Sequence, residues 1–233
     1  MKRSTAAWTY ATWTWVTAAV AGLLMIDPGK ASGEPAGPHR SVSTDAQGKS
    51  GQPVTISLED QFRTRHDTGS LRGHAVVLVY AERHGAKAGQ ELGRKLHMRF
   101  HPTAATAPAA ESASQPVIPP PGWPAGVQPP DVKVIAVACL AEIPSPFHVL
   151  ARRQFRSDSP HMPVWLDFEG VMKRSFGLVP GVPNVVLLDM DGRMHVVQNG
   201  RFGDAEIEQL VTVIDGLRQR PAGSPRTTGL PAP

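Results

Sequence analysis

The architecture of this chain turns on Gly181-Val182-Pro183-Asn184-Val185-Val186-Leu187-Leu188-Asp189-Met190-Asp191-Gly192-Arg193. Asn184 to Asp189 is a short aliphatic run rich in β-branched residues, the composition of a buried core strand. Asp191-Gly192 is a hairpin signal, and His195-Val196-Val197-Gln198 supplies the returning strand. Asp204 caps a closing helix that places Ile207, Leu210, Val211, Ile214 and Leu217 on one face.

Upstream, Val54 to Leu58 alternates like a short strand. Ala75-Val76-Val77-Leu78-Val79-Tyr80 is a continuous apolar run, expected as a strand covered on both faces. Ala86 to Phe100 carries Leu92, Leu96 and Phe100 at helical spacing. Val132 to Cys139 reads as a second buried strand. Phe147 to Phe155 reads as a helix with Phe147, Leu150 and Ala151 on one side. Val164 to Asp167 is a short strand, and Gly170 to Leu178 a short helix ended by Pro180-Gly181. Parallel central strands, helical crossovers and an antiparallel edge hairpin make an α/β sandwich.

Residues 101–130 interrupt that order with nine prolines and seven alanines. The composition predicts a polyproline-like loop or disordered insertion on the surface.

The order resembles the redoxin branch of the thioredoxin-like fold, which includes peroxiredoxins and TlpA-type exported thioredoxins. Three segments carry the likeness: Leu71 to Val79, the Gly-Val-Pro segment with its strand and Asp-Gly hairpin, and the closing amphipathic helix. It covers roughly residues 54–219, less the insertion. The resemblance implies a three-layer α/β/α sandwich with a central mixed sheet. It also implies a cis bond before Pro183, turning the Val182 backbone toward a peptide-binding groove.

The departure lies after the first core strand. The junction reads Glu82-Arg83-His84-Gly85-Ala86-Lys87-Ala88, so Gly85 and Ala88 occupy the positions of the family's two active-site cysteines. Neither residue forms a thiolate, which is the nucleophile of disulfide exchange. The peroxiredoxin cysteine motif is absent as well. Uncharacterised exported YtfJ-type proteins are similar: they keep the fold without the pair, and their ending is like Val185 to Leu217.

The N-terminus has the three parts of a secretory signal peptide: Lys2 and Arg3, an apolar run from Trp13 to Ile26, and a cleavage-compatible Gly29-Lys30-Ala31. The run is shorter than the ~20 residues needed to cross a bilayer. Residues 1–31 are thus read as a signal peptide, 32–52 as a flexible leader, 53–219 as the thioredoxin-like domain and 220–233 as a disordered tail. Membrane association is expected only if the signal segment stays uncleaved. The protein is expected in the periplasm or outside the cell. A formal charge of +4, from 24 basic and 20 acidic residues, is too mild and dispersed for nucleic-acid binding.

Four groups are weighed as sites. Cys139 is the one cysteine of 233 residues and cannot close a disulfide within the chain. It reads as a buried core thiol, or as a redox thiol if exposed near positive charge. Arg83, His84 and Lys87 crowd the start of a helix, an arrangement that holds an anion or is simply a solvated loop. His97 and His101 have the spacing of two metal ligands but lack a third nearby, and are read as surface histidines with no metal. Asp189 and Asp191 are explained by the hairpin. No phosphate-binding glycine loop or Gly-x-Ser-x-Gly elbow occurs. No cofactor is implied. The expected role is non-catalytic binding of an exported protein or peptide beside Val182 and Pro183. The alternative is a redoxin-type thiol oxidoreductase or antioxidant protein using Cys139 with a partner thiol.

Overall fold

The computed structural model describes residues 53–220. The signal segment, the leader and all but the first residue of the tail lie outside the described residues. The central strand is β3 (Ala75–Ala81), in which all seven residues are buried. Its neighbours explain this. On one side it pairs in parallel with β4 (Val132–Cys139), which pairs in parallel with β5 (Val164–Asp167). On the other side it runs antiparallel to β6 (Asn184–Leu188), which continues antiparallel to β7 (Met194–Asn199). A short hairpin, β1 (Ser57–Asp60) and β2 (Arg65–Asp67), closes the far edge through β1 and β5. The sheet order is β2-β1-β5-β4-β3-β6-β7.

Period-two alternation sorts the side chains into two layers. Ala75, Val77 and Val79 of β3 meet Leu92, Leu96 and Phe100 of α1 (Ala86–Phe100) and Ile207, Leu210, Val211, Ile214 and Leu217 of α4 (Asp204–Arg218). Ala136, Ala138, Val164 and Leu166 share a core with Phe155 of α2 (His148–Asp158). On the opposite face Val76, Leu78, Tyr80, Val137 and Trp165 pack with Met172 and Phe176 of α3 (Val171–Phe176). The result is the expected α/β/α sandwich on a mixed sheet.

Local details differ from the sequence reading. The first strand begins at Ser57 and carries a partner, Arg65–Asp67, that lacks an apolar alternation to announce it. On α2 the apolar residues divide unexpectedly: Phe155 is buried, whereas Phe147 and Leu150 are 41% and 53% exposed. Small Ala136 and Ala138 leave room beneath the helix for one large side chain, and Phe155 takes it. At α4 the expected cap, Asp204, is the first helical residue. Gly203 precedes it, and the Glu206 carboxylate accepts the Gly203 amide at 2.9 Å.

The insertion, expected as a polyproline-like loop or a disordered segment, lies against the helices as an irregular segment with two short 3-10 turns. Its fixed points include buried polar side chains as well as apolar contacts. Arg218 is fully buried at the end of α4. It donates to the carbonyls of Pro130 at 2.8 Å and Ile118 at 2.7 Å, and to Asp215 at 2.9 Å. The Ile118 amide bonds the Phe100 carbonyl, and Val117 packs against the core. His97 and His101 are buried too, which corrects their reading as surface residues. Their rings stack with centroids 4.6 Å apart. His97 donates to the Ser112 carbonyl at 3.0 Å, and His101 to Asp131 at 2.8 Å. Lys133 bonds the second Asp131 oxygen at 2.5 Å. Proline supplies few donors, so this segment is held by its carbonyls, which accept from donors on the helices.

Two predictions follow from this clamp. Arg218→Met leaves Asp215 and two carbonyls without their donor. It should lower unfolding free energy by about 3–5 kcal/mol in urea titration and expose residues 118–130 to protease. The second concerns acid. Burial, then the neighbouring His101, hold His97 below its ordinary value of 6.5. Above 6.5 both folded and unfolded chains carry it neutral. Below 6.5 the unfolded chain takes a proton that the folded chain resists, so stability falls as pH drops. Burial raises Asp131, but hydrogen bonds from His101 and Lys133 outweigh it and leave the carboxyl well below the usual range. Its contribution is present above 3.8 and is lost only as pH falls through the folded value. Thermal melts between pH 7 and 5 should therefore show a declining midpoint, flattened in His97→Gln.

Candidate functional site

The loop that leaves β3 meets the loop that enters β6. Glu82 starts a single turn, Arg83–Gly85, that runs into α1. Gly85 has an ordinary backbone, with φ −89°, so conformational freedom is not what glycine provides here. The requirement is space. A Cβ at Gly85 would lie 2.8 Å from the Val182 carbonyl carbon, 3.1 Å from its oxygen and 3.1 Å from the Pro183 nitrogen. The space a side chain at residue 85 would need is therefore filled by the Val182–Pro183 backbone. Ala88 is exposed on α1.

Among the described residues no peptide bond is cis, so the expected cis bond before Pro183 is corrected to trans. Trans is favoured by about 0.5–1 kcal/mol before proline, and the reversal into β6 is made by other means. Gly181 takes a left-handed φ of +75°. Buried Asn184 then pins the loop: its Nδ2 donates to the Val179 and Val182 carbonyls, each at 2.9 Å, and its Oδ1 accepts the Val179 amide at 2.8 Å. The Pro183 carbonyl accepts from the Gly200 amide at 3.1 Å. The Val182 and Pro183 carbonyls each already accept one hydrogen bond within the fold.

Arg83, His84 and Lys87 are exposed beside this junction. Their neighbour Glu82 does not bond them. Its carboxylate instead joins Lys173 at 2.9 Å and the Gly181 amide at 3.2 Å, tying α3 and the Gly181 turn to the end of β3. That hydrogen bond holds Lys173 more firmly protonated than usual. Asp189 serves the hairpin, accepting the amides of Asp191 at 3.0 Å and Arg193 at 2.8 Å. Among the described residues no group of three or more His, Cys, Asp or Glu is placed to hold a metal. No described helix is long and apolar enough to cross a membrane.

Cys139 ends β4 on the α3 face and is half-buried. Tyr80, on the same face of the adjacent strand, is the feature that sequence reasoning missed. Its side chain is fully buried, yet its hydroxyl has no hydrogen-bond partner. Such a group costs roughly 1–3 kcal/mol. Burial, then the Cys139 thiol, push the phenol well above its ordinary value. The thiol lies beside the hydroxyl without meeting hydrogen-bond geometry. The nearby carboxylates are engaged elsewhere. Asp167 accepts the Val171 amide at 2.8 Å and the Met172 amide at 2.9 Å, and Glu82 has the partners given above. A tyrosine at the end of an apolar run reads as ordinary core, so nothing local marks it as unpartnered.

No family model matches the chain. An uncharacterized protein of Haemophilus influenzae is 27% identical over 62 residues, which span 27% of this chain and 34% of that protein. Among solved structures, a secreted thiol-disulfide isomerase from Corynebacterium glutamicum superposes with a TM-score of 0.50 at 12% identity, covering 82% of this chain and 99% of that one. An exposed lipoprotein thioredoxin from Streptococcus pneumoniae gives 0.44 at 15%, covering 69% and 99%. Peroxidoxin BcpB from Mycobacterium tuberculosis gives 0.42 at 16%, covering 73% and 97%. With its sheet order, its helical layers and the Corynebacterium likeness, this chain has the thioredoxin-like α/β fold.

Proposed function

We propose that this is an exported redoxin-type protein that has given up disulfide exchange and acts as a binding module for another exported protein or peptide. The observation that carries this is the closed seat at Gly85. The thiol is missing, and the space it would need is occupied by the Val182–Pro183 backbone. Export rests on the N-terminal pattern of residues 1–31, and a kinship with YtfJ-type proteins rests on the matching ending and the missing pair.

The groove beside Val182 and Pro183 is less suited to an extended segment than the sequence implied, because its carbonyls are already paired. The reading therefore shifts to α2. There Phe147, Val149 and Leu150 are exposed together at the start of the helix, with Val149 the most exposed at 61%. Adjacent exposed apolar side chains that no core needs favour an apolar stretch of a partner chain. Thiol chemistry at Cys139 is the second reading, and the unpartnered Tyr80 hydroxyl favours it.

Two experiments test the first reading. The wild-type protein should not reduce insulin disulfides, and Gly85→Cys with Ala88→Cys should not acquire the activity. That double variant should lose about 1–3 kcal/mol of stability through overpacking. Insulin reduction by the unmodified protein would contradict the reading. Reduced, carboxymethylated α-lactalbumin serves as an unfolded apolar probe. It should bind the wild type, and Val149→Asp with Leu150→Asp should weaken that binding at least about tenfold with the melting curve unchanged. Equal binding by the two proteins, or none by either, would contradict the role of α2.

A further inference from the structure

The ends of β3, β4 and β5 bring Tyr80, Cys139 and Asp167 onto one face of the sheet, beneath α3. Strand register places Tyr80 opposite Val137 and Cys139 opposite Asp167. Cys139 is thus the diagonal same-face neighbour of Tyr80. The Tyr80 hydroxyl is an unpartnered donor with its side chain wholly buried. Both oxygens of Asp167 and of Glu82 are already engaged, so neither needs the phenol. The polar atom left beside it is the sulfur of Cys139, a weak acceptor as a thiol. An oxygen attached to that sulfur would be a strong one.

We propose that Cys139 is a hydroperoxide-oxidisable thiol whose sulfenic acid is held by a hydrogen bond from the Tyr80 hydroxyl. The sulfur attacks one oxygen of the hydroperoxide. A sulfur–oxygen bond forms and the oxygen–oxygen bond breaks. The thiol proton leaves with the departing alkoxide as alcohol, or as water from hydrogen peroxide. Cysteine loses two electrons and the peroxide gains them, so Cys-SH and ROOH become Cys-SOH and ROH. Cys139 is half-buried, which admits a small peroxide. No second cysteine exists to close a disulfide within the chain. The sulfenic acid therefore persists until it is reduced or condenses with an external thiol, giving a mixed disulfide and water. This site does not depend on partner binding at α2, and either can fail alone.

Hydrogen peroxide is the probe. The native protein is treated with a few equivalents, trapped with dimedone and read by peptide mass spectrometry. One adduct is expected at Cys139, and none in Cys139→Ser. In Tyr80→Phe, which keeps the ring and loses the hydroxyl, the trappable species should decay about tenfold faster, the worth of one hydrogen bond. Wild-type protein carrying ¹³C in the tyrosine ring adds a readout that needs no variant. The Tyr80 Cζ resonance should move on oxidation and return on reduction with dithiothreitol. Absence of a Cys139 adduct in the folded protein overturns the proposal. So does an unmoved Tyr80 resonance in the oxidised protein, or an equal lifetime in folded Tyr80→Phe.

Discussion

The contact between Gly85 and the Val182–Pro183 peptide organises one end of this molecule. Two loops enter the same space, one leaving the central strand and one approaching β6, and they fit because residue 85 has no side chain. The same approach continues along α1, where a Cβ on Gly89 would come within 3.0 Å of the Ala81 side chain. Small residues let the helix settle onto the end of β3. A thiol at this position would hold the loops apart. Their contact makes the junction a packed joint, with Asn184 and Glu82 pinning the loops from either side. The fit at this junction is therefore a property of the backbone as well as of the side chains.

With this junction packed shut, the unpartnered chemistry lies on the other side of the sheet's end. Glu82 is shared by both regions. Its backbone leads to Gly85, while its carboxylate reaches Lys173 and the Gly181 turn. The parallel strands end here, which is where ligands of open α/β sheets gather. The surviving polar groups, Tyr80, Cys139 and Asp167, face α3 rather than α1. At the opposite end the Pro-rich insertion is secured to α1 and α4 by Arg218, His97 and His101, away from this rim.

The regular layers were legible because their signals are local. β3 and residues 185–188 of β6 are runs with no charged residue, α4 repeats its apolar residues at helical spacing, and Asp191-Gly192 fits one kind of turn. What escaped the sequence depends on distant partners. Proline content predicted a polyproline-like loop or a disordered insertion and none of its anchors: Arg218 lies 88 residues from the Pro130 carbonyl that it holds. The histidine pair at helical spacing suggested surface residues, since nothing nearby in sequence shows Ser112 and Asp131 folding over it. The cis bond came with the resemblance, but Gly181 and Asn184 make the turn without it. On α2 the apolar face was visible, while the choice of Phe155 over Phe147 and Leu150 depends on two alanines of β4. The junction was legible only by resemblance, as Gly85 and Ala88 where cysteines were expected. That the absence is a filled space, and that Tyr80 is left without a partner, are matters of distance.

The most direct test of this account is a nuclear Overhauser spectrum of the native protein, read at the Gly85 α protons. A packed joint places them against Val182 and Pro183, and cross-peaks to the Pro183 δ protons and the Val182 side chain are predicted. Their absence from a well-folded sample would mean that the loops stand apart. The seat of the missing thiol would then be an open groove, and the closed-junction reading would be wrong.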